Sequence, residues 1–244
     1  MGPQIVSKAV MLVWTNLGAA IRATAVPFAL MAAVPRLFLR DDSTGQGALQ
    51  AGLVPVAVLS ILLFAWGAVA WHRHVLLEEA PALLSRPPRD AFFEYLWASM
   101  RTFAFAFVLL ILSVSTVGLV AGALATAAGN GGEAAFVVFA FGVAILITYA
   151  LLRVSLVLPA AALDRRMSLR QSWRITRSAR NAVLVVALLA ALVQAALEFV
   201  GAASAGVPLL GFVLSLLLTW ASAMIGLSIL TALYGVLVEG RPVD

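Results

Sequence analysis

No cysteine occurs in the 244 residues, which excludes disulfides, thiolate metal sites, iron–sulfur ligation and cysteine nucleophiles, and leaves the redox compartment undetermined. Charge is scarce as well, at 11% of residues against about 25% in a soluble globular domain. The only histidines are His72 and His74. Residues two apart on a helix point to different faces, so this pair does not chelate one metal, and no third histidine offers a bis-histidine haem site. Both read as interfacial residues. The chain contains no G-x-S-x-G nucleophile elbow, no G-x-x-x-x-G-K-[ST] phosphate loop and no H-E-x-x-H zinc helix. Together these gaps predict a protein that is not an enzyme and carries no cofactor or metal.

What is abundant is apolar sequence: 63% of residues are hydrophobic and the mean hydropathy is +1.05. A span of about 20 mainly apolar residues crosses a bilayer core. Six such spans are read, at Leu17 to Leu39, Ala51 to Val75, Phe103 to Ala125, Ala134 to Ala160, Ala182 to Val200 and Pro208 to Val238. The expected fold is an all-α integral membrane protein, one domain over 1–244, with six transmembrane helices in three hairpins. The N-terminus runs into a full-length apolar segment, so it does not read as a removable signal peptide, and Val6 breaks the myristoylation pattern. Within the spans, Gly118 and Gly122 form a G-x-x-x-G pair, expected to allow close packing inside the subunit.

Lys and Arg fall very unevenly between the two sides. The side holding both termini carries fourteen of them and seven acidic residues, whereas the other carries only Arg36 and Arg40 with four acidic residues. The positive-inside rule therefore puts both termini in the cytoplasm. With the basic residues gathered beside apolar spans, anionic headgroups are nearer partners than nucleic acid, despite a pI near 10.7.

Three inner stretches share a role. Segments starting at Ser7, Arg89 and Ser168 each place a modestly polar, amphipathic elbow directly before an odd-numbered span. Units over 5–80, 88–164 and 167–240 would then have the same orientation and suit a pseudo-threefold repeat. The third elbow has the strongest physics. Arg166, Arg170, Arg174 and Arg177 follow steps of four, four and three, so they line one helical face, with Leu169, Trp173 and Thr176 on a neighbouring one. Arg166, Arg170, Trp173, Arg174, Arg177 and Arg180 are thus candidate contacts for lipid headgroups or a partner, because tryptophan favours the interface and arginines reach phosphate.

Charges at membrane depth are costly and usually partnered. Arg153 is expected at the inner interface, paired with Glu78, Glu79 or Glu239 rather than serving a substrate. Gln194 and Glu198 share a face toward the outer end of the fifth span, with Glu198 expected to pair with Arg36 or Arg40 in preference to lining a polar cavity. Asp164 is expected to cap the third elbow or to tie Arg165 or Arg166 in place.

One segment carries a family likeness. Arg153, Leu158, Pro159, Asp164, Ser168, Leu169, Ser172, Trp173, Arg174, Thr176 and Arg177 form an R…LP-A-A…D…M-S-L…S-W-R-x-T-R pattern. It resembles YciC-like bacterial inner-membrane proteins and the membrane domain attached to some glycerophosphodiester phosphodiesterases. The likeness covers Arg153 to Asn181 best and implies a helical, polytopic inner-membrane fold. With no soluble phosphodiesterase domain in this chain, that activity does not carry over. The reading is a non-enzymatic membrane scaffold or lipid-interacting protein with basic interfacial helices. The alternatives are a transporter or exporter of an amphipathic substrate, and an accessory subunit bound to a membrane-protein partner or to further copies of itself.

Overall fold

The computed structural model describes residues 1–38, 46–81, 87–128, 132–204 and 208–242, with the backbone alone described at 32–38, 46–53, 124–128, 132–134 and 208–210. Among the described residues the secondary structure is helical throughout: α1 Gly2–Thr15, α2 Leu17–Phe38, α3 Gln46–Leu77, α4 Arg89–Ala128, α5 Gly132–Val154, α6 Val157–Ala162, α7 Leu169–Ile175, α8 Arg180–Ser204 and α9 Pro208–Leu237. Five spans are long and apolar enough to cross a membrane, and the count is six if the bent α1–α2 pair is one. By length and composition this is a multi-pass membrane protein.

The first elbow is sharp. At Asn16 the chain turns by 79° between α1 and α2, and the Asn16 amide folds back to donate to Leu12 O at 3.0 Å. Because Ile5 and Ala9 are fully buried, α1 is a packed element whose neighbours are α8 and α9. Lys8 Nζ also donates to the carbonyl of Pro242 at 2.5 Å.

The second elbow differs from expectation. Arg89 to Ala128 is one continuous helix of 40 residues, with no separate interfacial helix before the span. Its stretch from Phe92 to Phe103 contains neither glycine nor proline, so nothing interrupts the hydrogen-bond ladder there. The third elbow is a discrete helix, α7. Upstream of it, α5 stops at Val154 and α6 begins at Val157. Pro159 is the cause: it has no N–H to give Ser155 O, which takes Leu158 N–H at 3.0 Å instead.

The apolar core gathers at one end of the bundle, where Trp71, Tyr95, Leu156, Val183, Met224 and Tyr234 pack together. Two tryptophans bolt helices there: Trp71 Nε1 donates to Ser228 Oγ at 3.1 Å, joining α3 to α9, and Trp220 Nε1 donates to Thr24 Oγ1 at 2.9 Å, joining α9 to α2. His72 is core rather than interfacial. It is fully buried, with Nδ1 at 2.8 Å from Thr231 Oγ1 and its ring 5.9 Å from that of Tyr95, because its turn of α3 lies under both α4 and α9. The opposite half of α4 is largely exposed. Among the described residues a Cβ built at Gly118 or Gly122 meets nothing within 4 Å, in place of the close helix approach expected at this G-x-x-x-G pair.

Candidate functional site at the basic end of the bundle

The basic end is built from the C-terminal turns of α3, α6 and α9, the whole of α7 and the start of α8. Its geometry begins at the end of α6. Asp164 adopts φ +57°, its N–H bonds Ala161 O at 3.0 Å and the next N–H, from Arg165, bonds Ala160 O at 2.9 Å. This is a Schellman closure with aspartate where glycine is usual. A left-handed conformation costs a non-glycine residue roughly 1–2 kcal/mol. What offsets it is Arg73, whose Nη1 donates to Ala162 O at 3.0 Å and to Asp164 Oδ2 at 3.2 Å.

Asp164 therefore neither caps the elbow nor holds Arg165 or Arg166. Ser168 is the cap of α7, its hydroxyl accepting Gln171 N–H at 3.1 Å. Arg165 instead reaches Glu239 at 3.3 Å, and Arg166 comes within 3.9 Å of Glu94.

Arg73 also grips Glu79 with both ends of its guanidinium, Nε to Oε2 at 2.8 Å and Nη2 to Oε1 at 2.6 Å. The hydrogen bond from Arg73 holds the Glu79 carboxyl below its ordinary value of 4.5. A depressed carboxyl stabilises the fold above its unfolded pKa and loses that contribution as pH falls through the lower, folded value. Replacing Glu79 with Gln should therefore reduce the melting temperature at pH 7 and have little effect well below pH 4.5. Melting in detergent across that window checks it; an equal loss at both ends would contradict the ion-pair origin.

The C-terminal tail returns to the same place. Arg241 donates to Leu76 O at 2.6 Å and Val75 O at 3.3 Å, placing a cation on the last carbonyls of α3, where the helix dipole favours one.

Arg153 is the most buried charge of the site, 7% exposed. It pairs with none of Glu78, Glu79 and Glu239. Its position in the last turn of α5 faces α7, so its partners are neutral: Nη2 donates to Trp173 O at 2.7 Å, Nε to Thr176 Oγ1 at 3.1 Å and Nη1 to Tyr149 Oη at 3.4 Å. The guanidinium carbon lies 3.9 Å from the centroid of the Trp173 ring, a cation–π contact worth about 2 kcal/mol when desolvated. In return Ser172 Oγ donates to Arg153 O at 2.7 Å. Ser172 and Thr176 form the buried face of α7, while Arg170, Arg174 and Arg177 point away and are exposed, as is Arg180 at the start of α8. Among the described residues these four arginines form no ion pair.

Gln194 and Glu198 lie apart from this end. Gln194 Nε2 donates to Glu198 Oε1 at 3.0 Å, and Ser222 Oγ on α9 donates to Gln194 Oε1 at 2.5 Å. All three line a cavity of about 400 Å³ between α5, α8 and α9. The side chains of Arg36 and Arg40 lie outside the described residues, so the Glu198 pairing does too.

Arg153 and Trp173 share one segment of the sequence with nothing in it to join them, and Arg73, Arg241, Tyr149 and Ser222 are not among the residues expected at these sites. A signal existed for Arg73: an arginine in the last turn of a span, six residues before Glu79. Comparison with protein-family models, with curated proteins and with solved structures finds no match for this chain.

Proposed function

We propose that this is a non-enzymatic scaffold or lipid-interacting protein of a bacterial inner membrane, with both termini in the cytoplasm and α7 held against anionic headgroups. The observation that carries the reading is a contrast within one end of the molecule. Arg73, Arg165, Arg166 and Arg241 each face a carboxylate. Arg170, Arg174, Arg177 and Arg180 are exposed and, among the described residues, face none. Trp173, 39% exposed, sits among them, and an indole beside arginines suits the headgroup level of a bilayer.

The packing of the elbows supports a threefold relation between the repeats. α1 packs on the third hairpin, α7 packs on α5 of the second, and Tyr95, near the start of α4, meets His72 of the first. The first and third elbows, α1 and α7, thus each rest on another hairpin, while the start of the continuous α4 takes the corresponding place against the first.

Each arginine near an anionic surface contributes about 1 kcal/mol before salt screening. The triple variant Arg170→Gln, Arg174→Gln, Arg177→Gln should therefore retain far less phosphatidylglycerol than the wild type. Lipid mass spectrometry on protein purified from mixed phosphatidylcholine–phosphatidylglycerol micelles measures it, and raising salt should shrink the difference. Equal retention in the two proteins would reject headgroup recognition by α7.

A further inference from the structure

The cleft between α5, α8 and α9 contains a polar arrangement that the basic end does not use. Its walls are apolar, with Phe141 on α5, Leu197 on α8 and Ile225 and Ile229 on α9. Its volume, about 400 Å³, lies within the range of small-molecule sites. Gly226 leaves part of it open, since a Cβ built there meets nothing within 4 Å.

The polar groups are ordered in a line. Ser222 donates to the Gln194 carbonyl and the Gln194 amide nitrogen donates to Glu198 Oε1. Both ends of the Gln194 amide are thereby fixed, and the line ends on a carboxylate. Among the described residues Glu198 Oε2 accepts no hydrogen bond, and Glu198 is the only charged side chain that lines the cleft. Eighteen residues separate Glu198 from Arg180, about 27 Å along a helix. The carboxylate therefore lies toward the opposite face of the bundle from α7. Gln194 and Glu198 are exposed, and so are the neighbouring Leu192 and Phe199. The mouth of the cleft thus opens sideways, among residues that face lipid.

We propose that this cleft binds an amphipathic primary amine, its ammonium donating to Glu198 Oε2 and its hydrocarbon lying against Phe141, Ile225 and Ile229. A carboxylate with a free oxygen at the head of an apolar trough matches a cation with an apolar tail, and it offers nothing to an anion. The ammonium can belong to a lipid headgroup or to a free amine. The site is independent of α7.

The test uses the full chain in phosphatidylcholine nanodiscs and tritiated dodecylammonium. Saturable binding is expected, displaced by unlabelled dodecylammonium and not by dodecanol. Glu198→Gln removes the charge with little change in shape, and Gly226→Leu fills the trough while leaving the carboxylate. Glu198→Gln should weaken binding by roughly tenfold, the scale of one lost hydrogen bond to a charged group, and Gly226→Leu should weaken it by occluding the trough. Wild-type affinity in both variants, equal displacement by dodecanol, or no saturable binding would overturn the proposal. Repeating the measurement in phosphatidylethanolamine nanodiscs assigns the source. A weakened apparent affinity in the wild type, absent in Glu198→Gln, supports a lipid headgroup as the occupant, and an unchanged affinity supports a free amine.

Discussion

Arg153→Ala should release α7 from the end of α5 and lower stability by about 3 kcal/mol, the scale of one charge-assisted hydrogen bond plus one desolvated cation–π contact. The arginine serves as a tether because α7 is only seven residues long, too short to be helical in isolation. Its anchors are Leu169 and Ile175 against the core, Ser172 and Thr176 on the buried face, and the guanidinium laid on Trp173. Lysine at 153 should recover less than half of the loss, since a point charge cannot satisfy Trp173 O and Thr176 Oγ1 together while stacking on the ring. The local effect has its own readout. Trypsin cuts after arginine, and Arg170, Arg174 and Arg177 lie in or next to the helix that would come loose. Cleavage there should accelerate in Arg153→Ala relative to the wild type. A variant that melts lower with unchanged cleavage at α7 would show that Arg153 supports α5 alone.

The second large effect is expected at Trp71. The side chain is fully buried, spans α3 and α9 through its bond to Ser228, and stands 5.9 Å from the ring of His74. Replacing it with alanine should cost about 3–5 kcal/mol, as for other buried large-to-small changes. Inside a membrane the partner of the unfolded helix is lipid, as apolar as the core, so what is lost is contact and shape. Trp71→Phe keeps most of the volume and leaves only the Ser228 hydroxyl short of a donor, a penalty of about 1 kcal/mol. A double-mutant cycle with Ser228→Ala isolates that bond. Its coupling energy should account for the Phe variant and only a fraction of the Ala variant. If Trp71→Ala were as mild as Trp71→Phe, the α3–α9 contact would not hold the basic end together.

Both residues show how far the sequence alone reaches. Long apolar runs and the absence of competing chemistry make a helical membrane fold plain, because hydrocarbon length and backbone satisfaction leave few other solutions. The spacing of the arginines anticipates the exposed Arg170 and Arg174 of α7, whereas Arg166 and Arg177 fall outside that helix and Arg166 approaches Glu94. The break after Val154 is not legible there, since a proline five residues downstream interrupts a helix only when the local carbonyl has another donor, which here is Leu158. Partner choice was equally hidden. Arg153 was expected to seek a carboxylate, but the three nearest in role are spread elsewhere, and the end of a short helix offered it a carbonyl, a hydroxyl and an indole face. Asp164 was assigned by sequence neighbourhood, whereas its left-handed backbone turns the carboxylate toward an arginine 91 residues away. The cleft depends on Gln194 meeting Ser222 from another helix, a register that no local pattern encodes.

The docking of α1 on α8 and α9 governs how this molecule comes to exist on the ribosome. Helix α1 is made well before α8 and α9, which complete it, and its Lys8 is bound to a residue 234 positions later. At roughly 5–20 residues per second the interval between them is about ten to fifty seconds. Throughout that time Ile5 and Ala9 lack the α8 and α9 contacts that bury them in the folded molecule. Closure of the bundle is thus a late event of high contact order, which makes the arrival of α9 the step at which a nascent chain becomes this fold.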